Sequence, residues 1–278
     1  MRRVNQSELT TFMRCARKWN LSYLQGYQQA EESSNLYVGS LVHAGLQEHY
    51  SGGDLAEWIG LAEAQGISES VDGVLSKDDE LALIMLDGYL QWLEETGIDA
   101  GDLVPEYVER QMEIPLGVIA GREVVLHGTV DWTARDPYGQ LWLFDHKTVA
   151  AFGALVDRRL QLSFQLLTYA WMLRETTGET PAGVVLNMLR KVKRTAAAKP
   201  PFYQREAVQF NQHQLDSHGK NLYRVIERML IAEDAGDNYP VPDADCTWKC
   251  PFLQVCPLMD DGSDIMGALN ELYVRRTR

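Results

Sequence analysis

Apolar positions change their period along this chain. From Ser7 to Tyr27, "SELTTFMRCARKWNLSYLQGY" sets Leu9, Phe12, Trp19 and Tyr23 at helical spacing, with Ser7 as the expected N-cap. "NLYVGSLVHAGLQEHYSG" predicts a second helix, entered near Gly39 and stopped at Ser51-Gly52-Gly53. Residues 54–97 read as mostly helical, and Ser76 to Asp79 carry a capping-box pattern ahead of "ELALIMLDGYLQWLEE". The period then falls to two. "EYVERQMEIPL", "REVVLHGTVDWTA" and "GQLWLFDHKTV" read as strands, the last two joined by a turn through Asp136-Pro137 and Tyr138-Gly139. "LQLSFQLLTYAWMLRE" returns to helical spacing and "AGVVLNMLRK" is a strand. "RKVKRTAAAKPPF" is a basic loop, and a further helix lies near 211–235.

Helix, β-meander, helix and strand in that order predict an α/β fold with a mixed central sheet flanked by helices. The chain has 278 residues, enough for one large domain. The expected division is a mostly helical part over 1–100, an α/β core over 101–210, and a helix with a cysteine-rich segment over 211–278. No apolar run approaches the roughly 20 residues of a membrane span. The start, "MRRVNQSELTTFMRC", lacks the apolar stretch of a signal peptide, so a cytoplasmic location without membrane partners is expected. A net charge of −13 argues against a broadly basic nucleic-acid coat. It leaves room for a local basic groove beside an acidic pocket.

The chemistry concentrates in "LWLFDHKTV", where an apolar strand ends in an acid and a base two residues apart. Strand alternation sets Asp145 and Lys147 on one face and turns His146 away. Taken alone, this is a salt bridge at a strand end. Asp131 closes "LHGTVD" on the preceding strand, and if the two strands pair, both acids converge. Convergent carboxylates repel unless a hard divalent cation with oxygen ligands relieves them. His43 on the second helix could add a nitrogen ligand, which admits Mn²⁺ beside Mg²⁺. Lys147 would then orient or deprotonate the attacking water and steady charge on phosphorus. Gln165 and Tyr169 stand at i, i+4 and can lean over the same site. Glu109 lies on the strand before and can join it.

Four cysteines are unevenly placed. Cys246, Cys250 and Cys256 crowd into "DCTWKCPFLQVCP", and Cys15 stands alone near the start. Such a cluster suits thiolates around one centre, either zinc or [4Fe–4S], and spacing alone does not separate them.

The ordered set of His43, Gly128 to Asp131, Asp145-His146-Lys147 and Gln165 to Tyr169 resembles the PD-(D/E)XK nuclease superfamily, specifically its RecB-like branch. The resemblance implies a restriction-endonuclease-like core. It makes His43, Asp131, Asp145 and the His146 carbonyl metal ligands, Lys147 catalytic, and Gln165 and Tyr169 positioning groups for DNA. This chain has Asp145 where many relatives have Glu. The resemblance extends to AddB-type and CRISPR-associated exonucleases and their phage relatives. Those bind a [4Fe–4S] cluster with one cysteine before the core and three after it, which assigns Cys15, Cys246, Cys250 and Cys256 as ligands. Their triplet often begins C-x-x-C, whereas one more residue intervenes here.

The expected activity is a Mg²⁺- or Mn²⁺-dependent DNA exonuclease acting on ends or single strands in recombination or end processing, with a recombination or annealing protein as a candidate partner. The rivals are a structure-specific endonuclease on the same core and a catalytically silent DNA-binding module. Arg190, Lys191, Lys193 and Arg194, with Arg158-Arg159, form a candidate phosphate track, and Arg14, Arg17 and Lys18 a weaker one. Trp19, Tyr23, Tyr169 and Trp171 either stack bases or fill the core.

Overall fold

The computed structural model describes residues 1–30, 33–65, 75–99, 103–153 and 159–276. The chain opens with β1 (Arg2–Asn5), α1 (Gln6–Arg14), α2 (Ala16–Trp19), a π-helical turn (Asn20–Leu24) and β2 (Tyr27–Gln29). Three helices follow: α3 (Ser34–Tyr50), α4 (Leu55–Gln65) and α5 (Lys77–Thr96). Next come β3 (Val104–Ile119), β4 (Arg122–Arg135), β5 (Leu141–Val149), α6 (Phe164–Thr177), β6 (Gly183–Arg190) and β7 (Tyr203–Val208). The last elements are α7 (Gln212–Ala235), α8 (Asp245–Lys249), α9 (Ile265–Leu272) and β8 (Tyr273–Arg275). This is a mixed α/β architecture, as the order of periods predicts. Part of the predicted 54–97 helical stretch, residues 66–74, lies outside the described residues. No described helix is long and apolar enough to cross a membrane.

The chain divides into two compact units. The first comprises Met1–Glu32, Glu113–His127 and Gly219–Arg278. There β1 runs parallel to the opening of β4, from Arg2 against Val124 to Asn5 against His127. Because the chain is still extended at Asn5, that residue caps α1, its side chain accepting from the Glu8 amide at 2.9 Å. Ser7 already lies inside the helix, which corrects the expected N-cap. The single helix expected over 7–27 breaks at Cys15, whose backbone is extended. The break lets α2 bury Arg17 against Asp260 and Trp19 against Glu8, which a continued α1 would turn away. Leu21, Tyr27, Phe252, Val255, Leu269 and Tyr273 form a small core, closed by the antiparallel pair β2–β8.

The second unit comprises Ser33–Met112 and Gly128–His218. The closing stretch of β4 pairs antiparallel with β5, β5 parallel with β6, and β6 antiparallel with β7. α3 begins at Ser34, ahead of the expected entry, and Val38 extends its buried face through Val42 and Leu46. Gly39 sits inside it, beside Thr148 of β5. Ser76 and Asp79 form the predicted capping box at the start of α5. Val42, Leu46, Met85, Leu86 and Tyr89 from α3 and α5 pack on Trp132, Phe144 and Leu189 of the sheet. The neighbours Asp145 and His146 touch Gln165 of α6 and Tyr50 of α3, so those helices cover opposite faces of β5.

His218 is buried beside Thr168 of α6. The Thr168 hydroxyl donates to the Phe164 carbonyl, so its oxygen accepts from His218 Nε2 at 2.9 Å. Burial pulls the His218 pKa from 6.5 down to about 4. A histidine kept neutral in this way contributes stability above its unfolded pKa and loses it as pH falls toward the folded one. Between pH 6.5 and 4 the wild type is expected to lose roughly 3 kcal/mol more than His218→Gln. Urea unfolding at a series of pH values measures that difference, and parallel curves would contradict it.

Candidate active site

The β4–β5 ladder ends at Trp132 against Phe144, one residue short of both acids. Asp131 and Asp145 are therefore inside strands that continue to Arg135 and Val149, which corrects the reading of them as strand ends. Beyond that point β5 stays paired with β6, and the His146 amide donates to Asp131 Oδ2 at 2.6 Å. The parting of the two strands opens a mouth, and α3 brings His43 to it. His43 Nε2 lies 3.1 Å from the His146 carbonyl, which can only accept, so that nitrogen carries the proton. The other ring nitrogen, Nδ1, faces Asp131 Oδ1 at 3.6 Å. A metal-binding histidine characteristically donates its second N–H in this way.

Glu109 completes the group. His43, Glu109 and Asp131 each offer a ligand atom within 4.8 Å of the others. They line an open cavity of about 550 Å³ with Asn35, Gln47 and Thr148. Burial, then the neighbouring Asp131 carboxylate, raises the Glu109 pKa, while His43 opposes the shift. Two carboxylates and one imidazole are a donor set for Mg²⁺ or Mn²⁺.

Asp145 makes a second cluster. It is 3% exposed, and its Oδ1 accepts from Lys147 Nζ at 3.0 Å and from Gln165 Nε2 at 3.1 Å. Burial raises its pKa, Lys147 pulls it down, and Asp131 adds to the rise. Tyr169 is pushed up to about 12 by burial and by Asp145 and Asp131. A Cβ on Gly128 would stand 3.1 Å from the Tyr169 ring, so the glycine of G-x-x-D makes room for that phenol. All seven residues predicted for the site thus meet here. Two differences stand out: the His146 carbonyl faces His43, and Asp145 is engaged by Lys147 and Gln165; Glu109, expected from the strand before, stands with His43 and Asp131.

A buried polar chain backs the site. The His146 ring stacks on Tyr50, and its Nδ1 accepts from Asn187 Nδ2 at 2.9 Å. Asn187 stands opposite His146 in the β5–β6 ladder and accepts from Arg205 Nε at 3.1 Å. Arg205 also meets Asp99, Tyr50 and Tyr89. Burial first, then His43 and Arg205, holds the His146 pKa well below its ordinary value. Arg205→Met is expected to cost roughly 3 kcal/mol, because it removes the cation that pairs with the Asp99 carboxylate in a partly buried network. Chemical denaturation tests this, and a loss under 1 kcal/mol would contradict it. Nothing in the sequence pattern singles out Asn187 or Arg205, since one fills a core strand and the other lies on β7, a strand too short and mixed to be predicted.

The sequence profile of the PD-(D/E)XK nuclease superfamily matches residues 3–257. The chain belongs to that superfamily. A crystal structure of a candidate exonuclease from Eubacterium rectale superposes with a TM-score of 0.56 at 14% identity, covering 91% of this chain and 86% of that one. The protein SSO0001 covers 91% of this chain and 95% of its own at 16% identity, with a TM-score of 0.38. No curated protein matches the chain.

Around this PD-(D/E)XK site the basic loop is largely tied down. Arg190 donates to the Lys199 and Pro201 carbonyls, Arg194 lies 3.8 Å over the Phe202 ring, and Lys193 pairs with Glu80. Lys191 alone of the four reaches the cavity rim, donating to Asn35 at 2.7 Å. Arg159 is exposed, and Arg158 lies outside the described residues. Arg14 pairs with Asp245 and Arg17 with Asp260. Trp19 and Trp171 are core residues and present no face to a base.

In the first unit, Cys15, Cys246, Cys250 and Cys256 are all free thiols lining one apolar cavity of about 260 Å³ with Pro240, Phe252 and Leu253. Backbone N–H groups of Lys18 and Asp243 donate to Cys15 and Cys246, and Arg17 Nη1 donates to Cys256 Sγ. Burial raises the Cys250 pKa, and Cys246 and Cys15 add to the rise.

Proposed function

We propose that this chain is a RecB-like, divalent-metal-dependent DNA exonuclease that hydrolyses DNA at ends or in single strands, in recombination or end processing. The observation that carries the reading is the meeting of His43, Glu109 and Asp131 within 4.8 Å where β4 and β5 part, with Lys147 beside Asp145 on β5. His43 and Asp131 would hold Mg²⁺ or Mn²⁺, with Asp145 beside them. When bound there, such a cation would supply Lewis acidity to the attacking water and the phosphoryl oxygen.

The protein's own groups supply the rest. Lys147 presents its ammonium on the face of Asp145, where it orients the attacking water and steadies charge growing on phosphorus. Gln165 fixes the Asp145 carboxylate, and with Tyr169 it places the strand for in-line attack. Lys191 at the rim takes a neighbouring phosphate. The exonuclease reading follows the resemblance and agrees with the designation of the Eubacterium rectale protein. With Mn²⁺, purified protein is expected to degrade end-labelled linear DNA and leave covalently closed circles intact. Cleavage of circles would replace this reading with an endonuclease, and binding without cleavage with a DNA-binding module.

The same proposal gives the four cysteines a structural [4Fe–4S] cluster. They line one apolar cavity. Zinc and [4Fe–4S] both accept four thiolates, and the resemblance, with one cysteine before the core and three after it, is what favours iron–sulfur. Protein purified without oxygen is expected to contain iron and acid-labile sulfide in equal amounts. Stoichiometric zinc instead would overturn this assignment.

A further inference from the structure

We infer that Arg17 is a positioning residue of the thiol centre: its guanidinium fixes the direction of Cys256 and offsets the negative charge of the thiolates. The inference rests on the metal–sulfur reading above and adds to it a side chain outside the four cysteines.

The contacts of Arg17 carry the first argument. Its side chain is 5% exposed, and its planar group is spread over several acceptors. Nε donates to the Asn238 carbonyl at 3.1 Å, and Nη2 to Asp260 Oδ1 at 2.8 Å. Nη1 donates to Asp260 Oδ2 at 2.9 Å and to the Cys256 carbonyl at 2.8 Å, and it lies 3.7 Å from Cys256 Sγ. One nitrogen thus meets Cys256 at both its carbonyl and its sulfur. With the carbonyl tied, the sulfur is held toward the cavity that the other three cysteines line. A guanidinium suits this task because its donors form a rigid fork, which the point charge of a lysine lacks.

Charge carries the second argument. A buried cation is costly without a negative partner. Among the described residues, Asp260 is the one carboxylate paired with Arg17, and it is 60% exposed, so water weakens that pair. A cysteine sulfur that binds metal does so as the thiolate, which brings a second negative group to the same guanidinium. The other sulfurs are served differently. Cys15 accepts from the Lys18 backbone N–H at 3.5 Å and Cys246 from that of Asp243 at 3.4 Å. Those donors are neutral and independent of residue type. Among the described residues, Arg17 is the one side chain that donates to any of the four sulfurs. Hydrogen bonds and charge at the sulfurs set both the retention and the reduction potential of such a centre.

The test compares full-length wild type, Arg17→Met and Asp260→Asn, each purified without oxygen. Metal content, the rate of metal loss to a chelator and the midpoint potential of the loaded centre are measured. Arg17→Met should lose metal about tenfold faster than wild type. Its one-electron reduction should be roughly tenfold less favourable, about 59 mV more negative, because the cation that favours the added electron is gone. Asp260→Asn breaks the ion pair and leaves the contact with sulfur, so it should match wild type within about twofold in both readouts. If the methionine variant does not fold, Arg17→Lys takes its place, and the missing fork should still speed metal loss. An Arg17 variant that keeps its metal and its potential would overturn the inference and leave the metal–sulfur reading standing. Asp260→Asn that loses metal as fast as the Arg17 variant would also overturn it, since Arg17 would then act only as a brace for Asp260. Zinc in the wild type would replace iron–sulfur, and the metal-loss comparison would still decide the role of Arg17. Wild type without metal would sink both.

Discussion

Lys147→Ala is expected to slow DNA hydrolysis about 10³-fold while leaving Mn²⁺ affinity near that of the wild type. The separation follows from where the ammonium lies. It contacts both oxygens of Asp145, at 3.0 and 2.9 Å, and belongs to neither His43, Glu109 nor Asp131. Its loss removes a positive charge aimed at the reacting phosphate and leaves the ligand group in place. The KM for DNA should change little, because an interaction made chiefly in the transition state appears in kcat. Asp131→Asn should behave differently. It weakens Mn²⁺ binding as well as rate, and it disturbs the His146 amide that Asp131 accepts. Rapid-quench hydrolysis of end-labelled DNA, paired with Mn²⁺ titration, distinguishes the two. A Lys147→Ala enzyme within tenfold of wild-type kcat would remove the lysine from the chemistry.

The second large effect is expected at the other unit. On the proposed iron–sulfur reading, Cys250→Ala should lose the centre and lower stability by about 5 kcal/mol, the size expected when a clip closing a loop of more than 200 residues is opened. Cys15 and the C-terminal triplet come from opposite ends of the chain. A centre joining them removes much of the freedom of the unfolded ends. Among the described residues, the cluster beside the cysteines buries six side chains, including Phe252 and Tyr273, a small substitute for the clip. DNA affinity should fall with the clip. Mn²⁺ affinity should survive, because every ligand residue lies in the unit of Ser33–Met112 and Gly128–His218. Denaturant unfolding under anaerobic conditions, with iron analysis of each variant, measures this. A Cys250→Ala protein that keeps its iron and its stability would refute the clip.

Much of the site was legible in the residues because motif chemistry is local. Asp145 and Lys147 have a spacing that a strand turns directly into a shared face. His43 and the pair Gln165 and Tyr169 follow helical spacing just as directly. The β1 and β7 strands were not legible, because Arg2–Asn5 and Tyr203–Val208 are too short and too polar for a period to emerge. Ser7 was misplaced as a cap for a related reason. Asn5 caps α1 only because pairing with β4 holds the preceding residues extended.

By itself, then, the sequence determined the α/β order of elements, the metal-seeking motif and the four thiols, all of which rest on residue type and near spacing. The tertiary structure alone decided that β4 and β5 part just before their acids, that Glu109 stands beside His43 and Asp131, and that Arg205 holds the Asn187 that bonds the His146 ring. Those outcomes depend on backbone dihedrals and on contacts between residues far apart in the chain, and no local period encodes them.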